Sequence, residues 1–246
     1  MIERLLPTGQ TILPDLMKNL ILFLCISAFP LVVRSQNIQH NGWLFWSHQQ
    51  KLSKHWQISS DAQVRSADQA KYVSNLLLRA GLGYVLSDKQ TILLGYTYFG
   101  SWEKENGDFQ YEPENRIYQQ YQLENKLFRI EITNRLRYEQ RFIKKTDHTV
   151  FAQRFRHYIQ LQIPIMTDAE FKKGIYASLQ NEIFLNVQGR NKINHNLYDQ
   201  NRVYFGMGYR LSKELEIETG YLFRYQIKED QNVRNNIFQL LLRTSF

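Results

Sequence analysis

The segment Phe128-Arg-Ile-Glu-Ile-Thr-Asn-Arg-Leu-Arg-Tyr-Glu-Gln-Arg141 decides the fold. Phe128, Ile130, Ile132, Asn134, Leu136 and Tyr138 fall on one face, and Arg129, Glu131, Thr133, Arg135, Arg137, Glu139 and Arg141 on the other. A period of two residues is the signature of a β-strand, because successive side chains point to opposite faces. The same pattern recurs outward in both directions. Trp56, Ile58, Ser60, Ala62 and Val64 oppose Gln57, Ser59, Asp61, Gln63 and Arg65. Val203, Phe205, Met207, Tyr209 and Leu211 oppose Arg202, Tyr204, Gly206, Gly208 and Arg210. Ile217, Thr219, Tyr221, Phe223 and Tyr225 oppose Glu216, Glu218, Gly220, Leu222 and Arg224.

These runs are roughly 10 to 14 residues long, against about 5–6 for strands of ordinary soluble proteins. They match the ~9–11 residues that a tilted strand needs to cross a bilayer. A soluble barrel places its apolar face inward and its charges outward. Here the polar face is crowded with Arg and Glu, and the apolar face ends in Tyr, Trp and Phe, as in the aromatic girdles of membrane barrels. The expectation is all-β: an antiparallel transmembrane β-barrel of about ten to twelve strands over residues 36–246.

Composition agrees. Aromatic residues make up 14% of the 246-residue chain, with 15 Tyr, 15 Phe and only 5 Pro, which favours strands over helices or disorder. A mean hydropathy of -0.47 argues against a polytopic helical membrane protein but not against a barrel, whose strands are only half apolar. The net charge of +8 is spread singly along strands, without a basic run or a nucleic-acid motif, so nucleic acid is not an expected partner.

The N-terminus reads as a leader. Lys18 precedes an apolar run from Leu20 to Val33, about 14 residues and too short for the ~20 of a spanning helix. That is the layout of a cleaved signal peptide over residues 17–35, with Met17 as the natural start, residues 1–16 as an upstream extension, and cleavage after Ser35. Cys25 lies inside this leader without the small preceding residue a lipoprotein anchor needs, so the mature chain has no thiol chemistry. The protein is expected to leave the cytoplasm for a bacterial outer membrane.

Ten strands are expected near 56–65, 72–85, 91–99, 116–126, 128–141, 150–163, 174–187, 200–211, 215–227 and 234–246. Short connections (52–55, 87–90, 126–128, 167–173, 212–214) alternate with longer polar ones (66–71, 100–115, 143–149, 188–199, 228–233). In outer-membrane barrels the short turns face the periplasm. Trp43–Lys51 also reads as a strand, which makes the count odd. Either a partner near Gln36–Asn41 gives twelve, or this segment packs at the seam or inside the barrel. On the last strand Phe238, Leu240, Leu242 and Phe246 share a face. An aromatic final residue on an alternating strand resembles the C-terminal signal read by the barrel assembly machinery.

The segments Asn134-Arg-Leu-Arg-Tyr-Glu-Gln-Arg-Phe142 and Gln153-Arg-Phe-Arg-His-Tyr-Ile-Gln-Leu-Gln-Ile-Pro164, with Gly42-Trp43 and Lys51-Leu-Ser-Lys-His-Trp56, resemble a Bacteroidota barrel family catalogued as domain of unknown function 2490. The resemblance runs from Gln36 to Phe246. It implies an outer-membrane location and no established activity, so it assigns no functional residue.

The candidate site is the polar face. Arg135, Arg137, Glu139 and Arg141 on one central strand, with Arg154 and Arg156 on the next, bring arginines together in the lumen, and Glu182, Glu216 and Glu218 supply carboxylates on the same side. Facing arginines repel unless carboxylates or bound anions separate them. The leading expectation is a charged network that fills a narrow barrel of structural or interaction role. The alternative is a basic constriction that takes or passes an anionic small solute. A lipid-modifying enzyme would need a Ser/His/acid set at one rim. No G-x-S-x-G motif occurs, and His148 and His157 have no Ser two residues away. His40, His48, His55 and His195 lack metal-ligand spacing, and the 100–115 segment matches no calcium loop, so neither metal nor cofactor is expected. Outer-membrane lipid and the assembly machinery are the expected partners.

Overall fold

A computed structural model describes residues 37–105, 107–229 and 232–246; the leader read at 17–35 lies outside them. Among the described residues eleven strands run up and down: β1 (Asn37–Lys51), β2 (Trp56–Ala67), β3 (Tyr72–Ser87), β4 (Gln90–Glu105), β5 (Asp108–Leu127), β6 (Ile130–Lys144), β7 (Thr149–Thr167), β8 (Gly174–Gln188), β9 (Tyr198–Arg210), β10 (Leu215–Ile227) and β11 (Asn232–Ser245). Each pairs antiparallel with the next, and β1 closes the barrel on β11.

That closure corrects the strand count. In an up-and-down order direction alternates, so the first and eleventh strands run the same way and must pair in parallel. Trp43 lies opposite Gln239, Leu44 opposite Leu240 and Trp46 opposite Leu242, while the other edge of β1 pairs antiparallel with β2 from Trp43↔Arg65 to Lys51↔Gln57. The Trp43–Lys51 segment is therefore a full strand at the seam. Residues 37–41 begin that same strand rather than forming a twelfth, and the even count expected of bacterial barrels is not met. A test is available because the sole cysteine is Cys25. With Cys25 replaced by Ser, Leu44→Cys with Leu240→Cys forms a disulfide on oxidation, whereas Leu44→Cys with Leu222→Cys does not; non-reducing gel mobility reads the difference.

The expected loop at 100–115 is also corrected. The β4–β5 ladder continues through Gly100↔Pro113 and Trp102↔Tyr111 to Glu105↔Asp108. β5 pairs with β6 only as far as Glu114↔Ile143, so the missing N–H of Pro113 interrupts no ladder with β6. The hairpin overhangs its neighbours, with Glu103, Asp108, Gln110 and Glu112 on one face and the aromatic rings of Trp102, Phe109 and Tyr111 on the other. Likewise the links expected at 66–71 and 143–149 shrink to 68–71 and 145–148 as the strands run on, while 189–197 keeps a single 3-10 turn.

The two faces of the sheet are inverted relative to a soluble barrel. Arg137, Glu139, Arg154 and Glu218 are buried in the interior at 4, 1, 5 and 1% exposure, while outward-facing Leu94, Phe205 and Met207 are 59, 51 and 56% exposed. Phe238, Leu240, Leu242 and Phe246 all point outward. Inside, buried tyrosines lie flat across strands that carry glycine. A Cβ at Gly95 would penetrate the Tyr118 ring, and one at Gly208 the Tyr176 ring, so glycine there is a requirement of close approach. Near the seam Trp43, Tyr204, Leu222 and Ile237 form a small apolar cluster. This apolar cluster is local: the inner faces of β10 and β11 also carry Glu216, Glu218, Arg224 and Arg243, so the interior is charged around the ring.

Candidate functional site: the charged lumen

Strand parity places all nine expected lumen residues on the inner face, but they do not form one cluster. On β6 and β7 the register puts Arg135 opposite Tyr158, Arg137 opposite Arg156 and Glu139 opposite Arg154. Directly facing arginines destabilise a sheet unless their charges are drawn elsewhere. Arg156 turns to Glu139 Oε1 at 2.6 Å and Glu182 Oε1 at 2.6 Å. Arg154 grips Glu139 Oε2 through Nε and Nη2 at 3.0 and 2.7 Å, and reaches Asp199 Oδ2 at 3.1 Å. Arg135 donates to Glu182 Oε1 at 3.0 Å. Five expected residues thus make one continuous chain of charge-assisted hydrogen bonds.

Arg137 stands apart. It donates to Gln120 Oε1 from Nε and Nη2 at 2.9 and 2.5 Å and lies 4.4 Å from the Tyr118 ring centre, while its buried Nη1 has no hydrogen-bond partner. Arg141 joins a second centre. Its Nε and Nη2 donate to Glu114 at 2.6 and 3.1 Å, and Arg116 grips the same carboxylate at 2.7 and 2.9 Å. Glu216 and Glu218 belong to a third. Arg243 Nη1 reaches Glu218 Oε2 at 2.7 Å, Arg210 Nε reaches Glu216 Oε1 at 2.7 Å, and Tyr176 Oη donates to both carboxylates at 3.0 and 3.1 Å.

Sequence reading missed Glu114, Arg116, Asp199, Arg210 and Arg243 as network members. Glu114 falls within the expected 100–115 loop, and Asp199 at the end of the 188–199 one. Arg210 carried the signal of strand parity, which puts it on the same side as Arg202. Parity names the face but not the partner.

Two cavities occupy the lumen. A vestibule of about 670 Å³ is lined by turn residues Asp88, Lys89, Lys213 and Glu214, which places it at the end of the barrel that carries the 88–89 and 211–214 turns. A mid-lumen cavity of about 190 Å³ lies beside Trp43, Arg65, Arg202 and Arg224. Phe45, Arg79, Arg135, Tyr158 and Arg243 line both. Among the described residues no group of three or more His, Cys, Asp or Glu side chains has metal-binding geometry.

A model of the family described as "Protein of unknown function (DUF2490)" matches residues 40–236. No curated protein and no solved structure matches the chain.

Proposed function

The chain belongs to that family of unknown function, and from its inverted faces we propose that it is a non-enzymatic barrel of a bacterial outer membrane, structural or interacting in role, with a lumen filled by the Arg/Glu network. One observation carries the reading. The barrel buries arginine and glutamate within it and exposes a band of Leu, Ile, Phe and Met. In water this arrangement forfeits the hydrophobic effect, whereas in lipid the apolar band is at home and the closed sheet presents no open strand edge. Exposed rings at Trp46, Trp56, Tyr96, Tyr209 and Phe246 suit interfacial positions. The leader expected at 17–35 supplies export, and the outward Phe238, Leu240, Leu242 and Phe246 supply the assembly signal. The end with the vestibule is the periplasmic one in this reading, and the β4–β5 hairpin is external.

The absence of enzymatic activity is part of the proposal. Its support is that the lumen carboxylates nearest to an acid/base pair, Glu216 and Glu218, are engaged by Arg243, Arg210 and Tyr176. Purified chain is expected to need detergent, to migrate faster on a gel unboiled than boiled, and to leave lipid and lipopolysaccharide unchanged. It is also expected to give only leak current in planar bilayers, because the network side chains occupy the bore. Solubility without detergent sinks the membrane assignment; discrete anion-selective steps replace the filled-lumen role with a pore.

A further inference from the structure

Most lumen arginines have a carboxylate; Arg137, on the vestibule wall, does not. In the mid-lumen cavity Arg65 and Arg224 also lack one: among the described residues neither has a carboxylate within ion-pair distance. Arg65, only 5% exposed, donates to Gln63 on its own strand. Arg224 donates from Nε and Nη2 to Asn235 Oδ1 at 3.0 and 2.8 Å. A third arginine is barely better served. Arg202 Nη1 lies 3.7 Å from Glu182, whose carboxylate already takes Arg135 and Arg156, and the buried Arg202 Nε has no hydrogen-bond partner.

These three guanidinium groups converge. Their central carbons lie 4.0 Å (Arg65), 5.2 Å (Arg202) and 5.8 Å (Arg224) from the centre of the single Trp43 ring. All three line the 190 Å³ mid-lumen cavity, together with Gln200, which is 4% exposed and whose Oε1 has no partner. Each cation gains something from the indole face, but three like charges in one low-dielectric space repel, and buried charges are normally paired. The chain builds a carboxylate clamp wherever it uses one, as at Glu114, Glu139 and Glu182. Here the cavity wall carries only Glu114 and Glu182 among the described acids, each already shared by two other arginines, so the three forks are left with an excess of positive charge.

We propose that Arg65, Arg202 and Arg224, over Trp43, form a binding site for a small oxyanion of the phosphate class. Guanidinium forks match its oxygens in pairs, and a double negative charge offsets the local excess. A water's share of liquid volume is about 30 Å³, so the cavity holds one such ion and a few waters but not a lipid headgroup with its chains. The inference rests on the closed barrel and not on the membrane location proposed above, so the two fail separately.

The test uses the full chain refolded in detergent, titrated with inorganic phosphate against chloride at equal ionic strength, by calorimetry and by thermal midpoint. Expected are one saturable phosphate site per chain and a midpoint that rises with phosphate. Arg65→Gln and Arg224→Gln should each weaken binding about tenfold or more, while Arg129→Gln in an exposed turn leaves it unchanged. In chloride the two lumen variants should melt no lower than wild type, since they relieve repulsion; in phosphate they should melt lower. The idea is overturned if wild type shows no saturable response to phosphate, a measurement that needs no variant to fold. It is equally overturned if Arg65→Gln shifts the midpoint by the same amount in both salts, the mark of a merely structural arginine.

Discussion

Glu114→Gln is expected to lower the unfolding free energy of the barrel by about 5 kcal/mol, the upper end for removing one partner of a buried ion pair. Among the described residues Glu114 is the sole carboxylate within ion-pair reach of either Arg116 or Arg141, and all three side chains are buried. The substitution removes the negative charge and keeps the shape, so two guanidinium groups face each other across a neutral amide. Glu139→Gln, at a position even more deeply buried, should cost less, about 3 kcal/mol. There Arg154 retains Asp199 and Arg156 retains Glu182. The order of the two effects tests the network more sharply than either magnitude. Denaturant unfolding of the refolded chain, followed by tryptophan fluorescence and gel mobility, measures both. If Glu139→Gln proves the more damaging, depth of burial rather than partner count governs this lumen.

The second large effect is expected from deletion of residues 37–51. Strand β1 offers backbone partners along β11 from Asn37↔Val233 to Gln49↔Ser245 and along β2 from Trp43↔Arg65 to Lys51↔Gln57. Without it both neighbours become open edges, and an unpaired edge is costly in the lipid location proposed above. The ten remaining strands have the right parity to close antiparallel. They would do so on a narrower bore, without Trp43 to fill the space between Leu222, Ile237 and Tyr204. With eleven strands the lumen already buries Arg65, Arg116, Arg137, Arg154 and Arg156, and a narrower bore brings these charges closer together. The shortened chain is therefore expected to give no form that migrates faster unboiled than boiled. Recovery of that form at wild-type yield would make β1 an accessory strand and restore the ten-strand reading.

How much of this was legible in the sequence follows from what each interaction depends on. The strands 128–141 and 150–163 could be read because alternation is local: each residue's face is fixed by its neighbours along the chain. The same logic put Arg135, Arg137, Glu139, Arg154, Arg156, Glu182, Glu216 and Glu218 on one side of the sheet, where they are found. It failed at 100–115, where the overhanging hairpin interrupts its alternation with the charged Lys104 and the Asn106-Gly107 pair and leaves Phe109 and Tyr111 exposed, and Glu114 was lost with it.

Partner choice was not legible at all. Arg137 and Arg156 differ little in sequence context, yet one ends on Gln120 and the other on two carboxylates. That outcome depends on which residues three neighbouring strands bring level, a matter of register and of closure around the whole ring. By itself the sequence determined the β-barrel class, the inward set of charges and the outward apolar band, because period-two alternation is written residue by residue. Only the tertiary structure decided that eleven strands close through a parallel β1–β11 seam. It alone placed Arg65, Arg202 and Arg224 around one indole ring. Pairing across the seam joins residues about 200 positions apart, and no local pattern encodes a contact whose partners meet only once the sheet has closed.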